Sequence, residues 1–389
     1  MPLLPPLSTD SRPRLLALAV LFSSALAACG GGSDAGSAAS SPAPAPSPSP
    51  TSTDGAPAAG YSAGSCAVPT AAQAVVSTAP DHVVGNGTAA SCTSDAVVNA
   101  VAQGGVTTFN CGADPVTITM TSTAKVFNDK PDVVLDGGGK VTLSGGGARR
   151  ILYQNTCDQA QVWTSAHCDT QDTPHLTVQN LTLVDGNSAG QTYGLGEVYG
   201  GGAIYVRGGR LKIVNSRFFR NQCEATGPDL GGAAVRAFGT STAAPVYVVG
   251  STFGGAAGYG NQCSNGGGLS GLGASFTVLN SLFSHNAATG NGANPAATGT
   301  PGGGSGGAIY QDGNSFDLSL CGSSMHDNTA VEGGGALIFV SNDLTGTMSI
   351  TDSLLQANTS GQFETSGLPG IFVLAAPGQP VITRSTISK

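Results

Sequence analysis

The feature that most constrains this chain is a short motif of alternating apolar residues that occurs seven times between residues 176 and 387. The copies read LTVQNLTL at 176–183, LKIVNSRF at 211–218, VYVVGSTF at 246–253, FTVLNSLF at 276–283, LSLCGSSM at 318–325, MSITDSLL at 348–355 and PVITRSTI at 380–387. Aligned on the fifth residue, successive copies are 35, 35, 30, 42, 30 and 32 residues apart. A period of about 30 residues with short strands predicts a solenoid, because one coil cannot bury its own apolar face.

Two positions of the motif are apolar in every copy, two residues before and three residues after the aligned residue. Since alternate residues of a strand share one face, both columns should point inward and stack from coil to coil. The first column is Val178, Ile213, Val248, Val278, Leu320, Ile350 and Ile382, and the second is Leu183, Phe218, Phe253, Phe283, Met325, Leu355 and Ile387. The serine after the aligned residue, in six copies from Ser216 to Ser385, should form a third stack.

The aligned residues predict a bend between two strands. Asn, Gly and Asp tolerate the left-handed conformation and occupy six of the seven positions, whereas a bend at Arg384 is less well supported. We expect asparagines to hydrogen-bond along the stack and satisfy turn carbonyls. The asparagines concerned are Asn180, Asn215 and Asn280 at the first bend and Asn221, Asn261, Asn286, Asn328 and Asn358 at a second turn. This register requires an insertion near residues 254–260 to be looped out.

Small residues open each repeat, as in Gly201-Gly202-Ala203-Ile204. Propeller blades are longer and left-handed hexapeptide helices have a shorter period, so the sequence predicts an all-β, right-handed parallel β-helix over residues 66–389. The segment SDAVVNAVA at 94–102 predicts a short N-terminal helix over the open end, with Ser94 as its cap. The first coils are expected at 106–110, 116–120, 133–139 and 141–147.

Composition supports this architecture. The 389 residues include 59 glycines but only 15 Lys and Arg and 23 Asp and Glu residues, which argues against a helical bundle or coiled coil. With a net charge of -8 and no basic patch, the chain is not expected to bind nucleic acid.

The N-terminus predicts export. Residues 1–28 combine two arginines with an apolar run that ends Leu26-Ala27-Ala28-Cys29, as a cleaved signal peptide does. These residues also resemble the lipobox of bacterial lipoproteins, which implies lipid on Cys29 as the membrane contact. Within this resemblance, Gly30 rather than Asp after the cysteine implies the outer membrane, and display at the cell surface or on the periplasmic side is left open. The alternative is an ordinary signal peptide with Cys29 incidental. Residues 29–65, rich in Ala, Pro and Ser, predict a disordered tether.

Eight further cysteines remain, and an exported compartment permits disulfides. We expect the pairs Cys92–Cys111, Cys157–Cys168 and Cys223–Cys263, the last on neighbouring coils about 4.8 Å apart. Cys66 and Cys321 are left, either paired or free. No Cys-x-x-Cys motif occurs, and the His167-Cys168 pair has no partners at ligand spacing, so neither a metal nor a cofactor is predicted.

The alternation of Gly-Gly-Ala-Ile with Phe-x-x-Asn, as at 218–221 and 283–286, resembles the repeats of polymorphic outer membrane proteins. The general pattern resembles pectin-lyase-like β-helices, and together these resemblances cover residues 92–389. They imply the fold more than an activity. The polygalacturonase signatures Asn-Thr-Asp, Asp-Asp, Gly-His-Gly and Arg-Ile-Lys do not occur, and Asp136 has no carboxylate two residues before it.

The candidate ligand-binding residues follow the glycines and should cluster on one outer face, with Glu197 and Asp229 in adjoining loops. They are Tyr205, Arg207, Arg236, Tyr310 and Asp312. Tyrosine rings stack on sugars and a guanidinium grips a uronate carboxylate, although ordinary surface residues are the alternative.

A second candidate is the pair of His285 and Asp327, expected as outward neighbours on adjacent coils. A carboxylate beside a histidine can orient an acid or base. A solvated surface pair is the alternative.

The sequence as a whole favours a lipid-anchored surface or envelope protein that binds a polysaccharide or a partner protein without catalysis. A divergent polysaccharide lyase or glycoside hydrolase acting on acidic polysaccharide, and a structural spacer, are the alternatives.

Overall fold

The computed structural model describes residues 55–162, 165–191 and 199–389. In these ranges 29 strands stack in parallel, and one α-helix, α1 (Ser94–Gln103), packs on the first coils. The predicted all-β parallel β-helix with a short N-terminal helix is therefore confirmed. Within the described residues, no helix has the length and apolar character needed to span a bilayer.

The coils are built from three main faces. Face A contains β1 (His82–Val84), β2 (Gly105–Phe109), the first halves of β5 (Asp132–Ser144) and β7 (His175–Val184), β9 (Arg210–Val214), β12 (Val246–Val249), β16 (Phe276–Leu279), β20 (Asp317–Cys321), β24 (Thr347–Thr351) and β28 (Val381–Thr383). Face B contains β3 (Val116–Thr119), the second halves of β5 and β7, β10 (Arg217–Phe219), β13 (Thr252–Gly254), β17 (Leu282–Ser284), β21 (Ser324–His326), β25 (Leu354–Gln356) and β29 (Thr386–Ser388).

Face C is a separate sheet on which the candidate ligand residues lie. It contains β4 (Ala124–Val126), β6 (Leu152–Asn155), β8 (Ile204–Arg207), β11 (Val235–Phe238), β15 (Leu269–Leu272), β19 (Ile309–Gly313), β23 (Leu337–Ser341) and β27 (Ile371–Leu374). A short fourth ladder contains β14 (Gln262–Cys263), β18 (Ala287–Ala288), β22 (Thr329–Ala330) and β26 (Thr359–Ser360).

The predicted inner columns are confirmed from Val178 and Leu183 to Ile350 and Leu355. On the last coil Ile382 and Ile387 keep the register, but Ile382 is 37% exposed and Ile387 is only partly buried. Ile213 pairs in register with Val178 and Val248, and Phe253 pairs with Phe218 and Phe283. The three phenylalanine rings lie parallel with centroids 4.6 Å apart, and all three are 0% exposed. These columns are the hydrophobic core, which holds adjacent coils together.

The first bend is left-handed in all seven copies. Arg384 has φ 48°, so the weaker expectation at this position was wrong. The Arg384 guanidinium donates two hydrogen bonds of 2.6 Å to the Asp352 carboxylate on the preceding coil, and both side chains are exposed. The predicted serine stack is also present, because the backbone N–H groups of Ser216, Ser251, Ser281, Ser323 and Ser353 each donate to the hydroxyl of the next serine.

An unbroken asparagine ladder follows face B. Its amide-to-amide bonds of 2.8–2.9 Å join Asn221, Asn261, Asn286, Asn328 and Asn358 in order. At the first bend the ladder joins only Asn215 to Asn180, at 2.8 Å. Asn280 departs from the prediction: Gly250 supplies no side chain between it and Asn215, and its amide bonds the backbone of Cys66 instead.

Residues 57–81, here called the strap, cross the outside of faces A and B. The expected tether extends to residue 65, but its last residues already lie against the coils: Gly60 N–H donates to Thr252, whose hydroxyl donates to the Ala58 carbonyl. Further along, the Val75 N–H donates to Gln179 Oε1, and Gln179 Nε2 donates to the Val75 carbonyl. Ala72 of the strap packs with Val249 and Leu279, all at most 6% exposed. Apolar contact therefore adds to the hydrogen bonds that hold this segment.

The structure joins the three expected cysteine pairs, with Cα atoms 5.6, 5.0 and 4.8 Å apart. It also pairs Cys66 with Cys321 across 255 residues, at a Cα separation of 6.0 Å. This fourth bond fixes the strap to β20.

Two details of the first coils differ from expectation. The cap of α1 is Thr93, whose hydroxyl accepts from Ala96 N–H, whereas the Ser94 hydroxyl accepts from Thr121 N–H. Segments 133–139 and 141–147 form one strand, β5, whose register against β7 shifts between Asp136 and Val141. The extra glycines there bulge outward without ending the strand.

Candidate functional site

The second residue of each face C strand points outward, because the first residue lines the core. Gly232 and Gly306 lead into β11 and β19 with φ of 73° and 70°, and a Cβ on either would clash with the carbonyl of Val235 or Ile309. These tight turns set the outward positions. The outward column, in register along the stack, is Tyr153, Tyr205, Arg236, Ser270 and Tyr310.

The structure thus brings Tyr205, Arg236 and Tyr310 onto one outer face, as predicted, but it does not leave them exposed. They are 1%, 3% and 2% exposed. The loop before β11 covers Arg236, whose Nη2 donates to the Asp229 carbonyl at 2.6 Å while Nη1 donates to the Ser270 hydroxyl at 2.7 Å. In this conformation the tyrosine rings present no face on which a sugar could stack.

Arg207 lies apart from this group. It occupies the fourth position of β8, and its register partner on β11 is Phe238, over whose ring the guanidinium sits at 4.8 Å. Its Nε donates to the Asp169 carboxylate at 2.6 Å. Glu197, expected in an adjoining loop, lies outside the described residues.

The accessible part of the group is a carboxylate pair that shares one amide. Asn294 Nδ2 lies 2.5 Å from Asp229 Oδ1, 2.8 Å from the Tyr310 hydroxyl and 3.2 Å from Asp312 Oδ2. Tyr310 also donates to Asp312 Oδ2 at 3.0 Å, and Asn342 Nδ2 donates to its other oxygen at 3.0 Å. We call Asp229, Arg236, Asn294, Tyr310 and Asp312 the Asp229–Asp312 site.

Burial dominates the electrostatics of this site. It raises the pKa of the Asp312 carboxyl, and Asp229 adds to the rise, although hydrogen bonds from Tyr310 and Asn342 oppose it. Burial also raises the pKa of Tyr310 and lowers the pKa of the Arg236 guanidinium. Asp312 therefore holds a proton more readily than an exposed aspartate.

Within the described ranges, one buried polar atom in the site, Arg236 Nε, and one beside it, the Tyr205 hydroxyl, lack hydrogen-bond partners. A buried polar group without a partner costs roughly 1–3 kcal/mol, so these two atoms lower the stability of the closed conformation. Carboxylates and amides together accept from and donate to sugar hydroxyls, and a carboxyl of raised pKa beside a second carboxylate can also perform acid–base chemistry.

Sequence reasoning identified Asp229, Arg236, Tyr310 and Asp312 but not Asn294 or Asn342. Asn294 belongs to the long segment between β18 and β19, which has no place in the repeat register. Its only sequence signal is the Asn-Pro dipeptide at 294–295, which is typical of a turn.

The second candidate pair, His285 and Asp327, forms hydrogen bonds with other residues. Asp327 bonds the neighbouring His326, whose Nδ1 lies 2.7 Å from Asp327 Oδ2, rather than His285. His285 Nδ1 instead contacts the Ser284 hydroxyl at 3.0 Å. Burial lowers the pKa of His285, which Asp327 opposes and His326 reinforces. The three side chains lie together and offer two imidazoles and a carboxylate.

Comparison with protein-family models, with curated proteins and with solved structures yields no match to this chain.

Proposed function

We propose that this chain is an exported, lipid-anchored β-helix protein that binds a glycan through the Asp229–Asp312 site without transforming it. Export and the anchor are supported by the apolar run ending at Cys29 and by four disulfides, which persist in oxidising compartments. The general resemblance to pectin-lyase-like and polymorphic outer membrane repeats is consistent with a surface role.

The observation that carries glycan binding is the amide of Asn294 shared between Asp229 and Asp312. This places two carboxylates and two amides at the rim of a buried Tyr–Arg base. Such a rim can both donate to and accept from vicinal sugar hydroxyls, as a hydroxyl-rich ligand requires. The site lacks an exposed aromatic platform, which favours recognition by hydrogen bonds over ring stacking.

The test is a glycan array of neutral and acidic oligosaccharides probed with the full chain. Asn294→Ala and Asp312→Asn should weaken binding of any hit roughly 10- to 100-fold, because each removes hydrogen bonds to charged groups worth about 1.5–3 kcal/mol. Asp114→Asn makes the same charge change at an exposed turn of the first coils and should leave binding unchanged. Unchanged binding in all three variants would reject the site.

A second candidate function is glycoside hydrolysis. It is favoured by the raised pKa of Asp312 beside a second carboxylate, because such enzymes need one carboxyl protonated and one ionised. Incubation with acidic and neutral polysaccharides should then release reducing ends in the wild type and none in Asp312→Asn. A lyase would release unsaturated products instead. Binding without product supports the first proposal, and neither binding nor product favours a structural spacer.

A further inference from the structure

Two histidines and an aspartate meet at the second turn of two adjacent coils. β17 and β21 pair so that Ser284 lies opposite His326, which places the bend residue His285 beside the bend residue Asp327. One ligand atom from each of His285, His326 and Asp327 lies within 4.8 Å of the others. The stacking register, and not sequence proximity alone, therefore creates the cluster.

Local contacts orient both imidazoles. The Nδ1 of His326 contacts the Asp327 carboxylate and the Nδ1 of His285 contacts the Ser284 hydroxyl, so both rings have a defined orientation. The ring centroids are 6.1 Å apart and the planes cross at 83°, so the rings are not stacked on each other. Metal-binding histidines commonly have their second nitrogen held by another polar group, as Ser284 holds His285. For His326 and Asp327 to bind one ion, their direct contact must give way to the ion.

The charges around the cluster do not oppose a cation. Arg220 occupies the equivalent bend position on an earlier coil. Its Nε donates to the Asp185 carboxylate at 2.8 Å, and its guanidinium lies 5.8 Å from the centre of the Tyr259 ring. On the following coil, the register partner of His326 is the neutral Gln356, and the bend residue is Ala357.

We infer that His285, His326 and Asp327 form a binding site for a late first-row divalent metal such as Zn²⁺, with a further coordination position open to solvent. Two imidazoles with one carboxylate suit this class, whereas Ca²⁺ and Mg²⁺ prefer oxygen ligands alone. Ligand atoms of a tetrahedral site with bonds of about 2.0–2.1 Å lie roughly 3.3 Å apart. The most widely separated ligand atoms must therefore close by up to about 1.5 Å, whereas His326 Nδ1 and Asp327 Oδ2, now 2.7 Å apart, must open slightly. The Asp327 side chain is 41% exposed and has room to rotate.

The experiment titrates Zn²⁺ alone into the full chain, purified in detergent without a polyhistidine tag, by calorimetry. We expect one ion per chain and a rise in the unfolding temperature. His285→Asn and Asp327→Asn should each weaken binding by roughly 10- to 100-fold or more. Both positions have φ near 55–59°, which asparagine tolerates, so these variants should fold.

His175→Asn is the matched control, because His175 also lies beside carboxylates, those of Asp132 and Asp172. The His175→Asn variant should bind Zn²⁺ with the same affinity as the wild type. With Co²⁺ in place of Zn²⁺, the visible absorption of a four-coordinate site should appear in the wild type and in His175→Asn only. Absence of Zn²⁺ binding in the wild type would overturn the inference. So would His285→Asn and Asp327→Asn variants that have native circular dichroism and bind Zn²⁺ as tightly as the wild type. Because it does not involve Asp229 or Asp312, its outcome is independent of glycan binding.

Discussion

The asparagine ladder gives the sharpest stability prediction, at Asn286. Its amide donates to the Phe253 carbonyl and to Asn328, and its carbonyl oxygen accepts from both the backbone N–H and the side chain of Asn261. Asn261, Asn286 and Asn328 are each 0% exposed, so these hydrogen bonds are fully buried. Removal of the amide therefore leaves buried donors and acceptors that water cannot reach.

Asn286→Ala should lower the free energy of unfolding by about 4–6 kcal/mol, counting roughly 1–3 kcal/mol for the orphaned Asn261 N–H and about 1 kcal/mol for each of the other lost bonds. The matched variant is Asn358→Ala at the end of the ladder. Asn358 is 7% exposed and has no further asparagine beyond it, so solvent can replace part of what is lost, and the cost should be about half.

The assay is equilibrium unfolding in guanidinium chloride with the disulfides intact, followed by far-ultraviolet circular dichroism. Equal costs for the two variants, or a cost below about 1 kcal/mol for Asn286→Ala, would refute the view that the ladder stabilises the coils by satisfying buried turn groups.

Three further predictions follow from other parts of the chain. Cys29→Ala should move the protein from the detergent phase to the aqueous phase of a Triton X-114 separation; retention in the detergent phase without lipid would exclude the proposed anchor. Phe253→Ala should cost about 3–5 kcal/mol in the same unfolding assay, because the ring is stacked on both sides at 4.6 Å. Because the folded pKa of Asp312 is raised above 3.8, its stabilising contribution is complete below that pH and is lost as the pH rises through the folded pKa. The stability of the wild type relative to Asp312→Asn should therefore fall from pH 4 to pH 7, and a relative stability that rises over this interval would contradict the assigned shift.

The repeating part of the fold was predictable because its determinants are local and periodic. The spacing of Phe218, Phe253 and Phe283 specifies one register, and a shift by one residue would turn each apolar side chain outward. The N-terminal segment has no such period. Residues 57–81 bind to the coils through single contacts such as those of Asn280 and Gln179, which no pattern in the sequence indicates.

The candidate site was predictable in part for the same reason. Arg236 and Tyr310 follow equivalent glycines, so the register alone places them on one face. Their burial was not predictable, because it depends on loops of irregular length that carry Asp229 and Asn294. Arg207 lies on face C two residues after Tyr205, but Phe238 and the carboxylate of Asp169 engage its guanidinium outside the Asp229–Asp312 site.

The strap changes how such a stack can come apart. Each coil of a solenoid contacts only its neighbours, so an uncrosslinked array can fray from either end in small steps. Here Cys66–Cys321 closes a loop of 255 residues, for which the chain-entropy model gives about 5.5 kcal/mol of stabilisation. The strap also holds Asp136 near one end through Ser77 at 2.6 Å and Thr252 in the middle. The strap thereby links coils that are not neighbours in the stack, and we expect these coils to open together rather than one by one from either end.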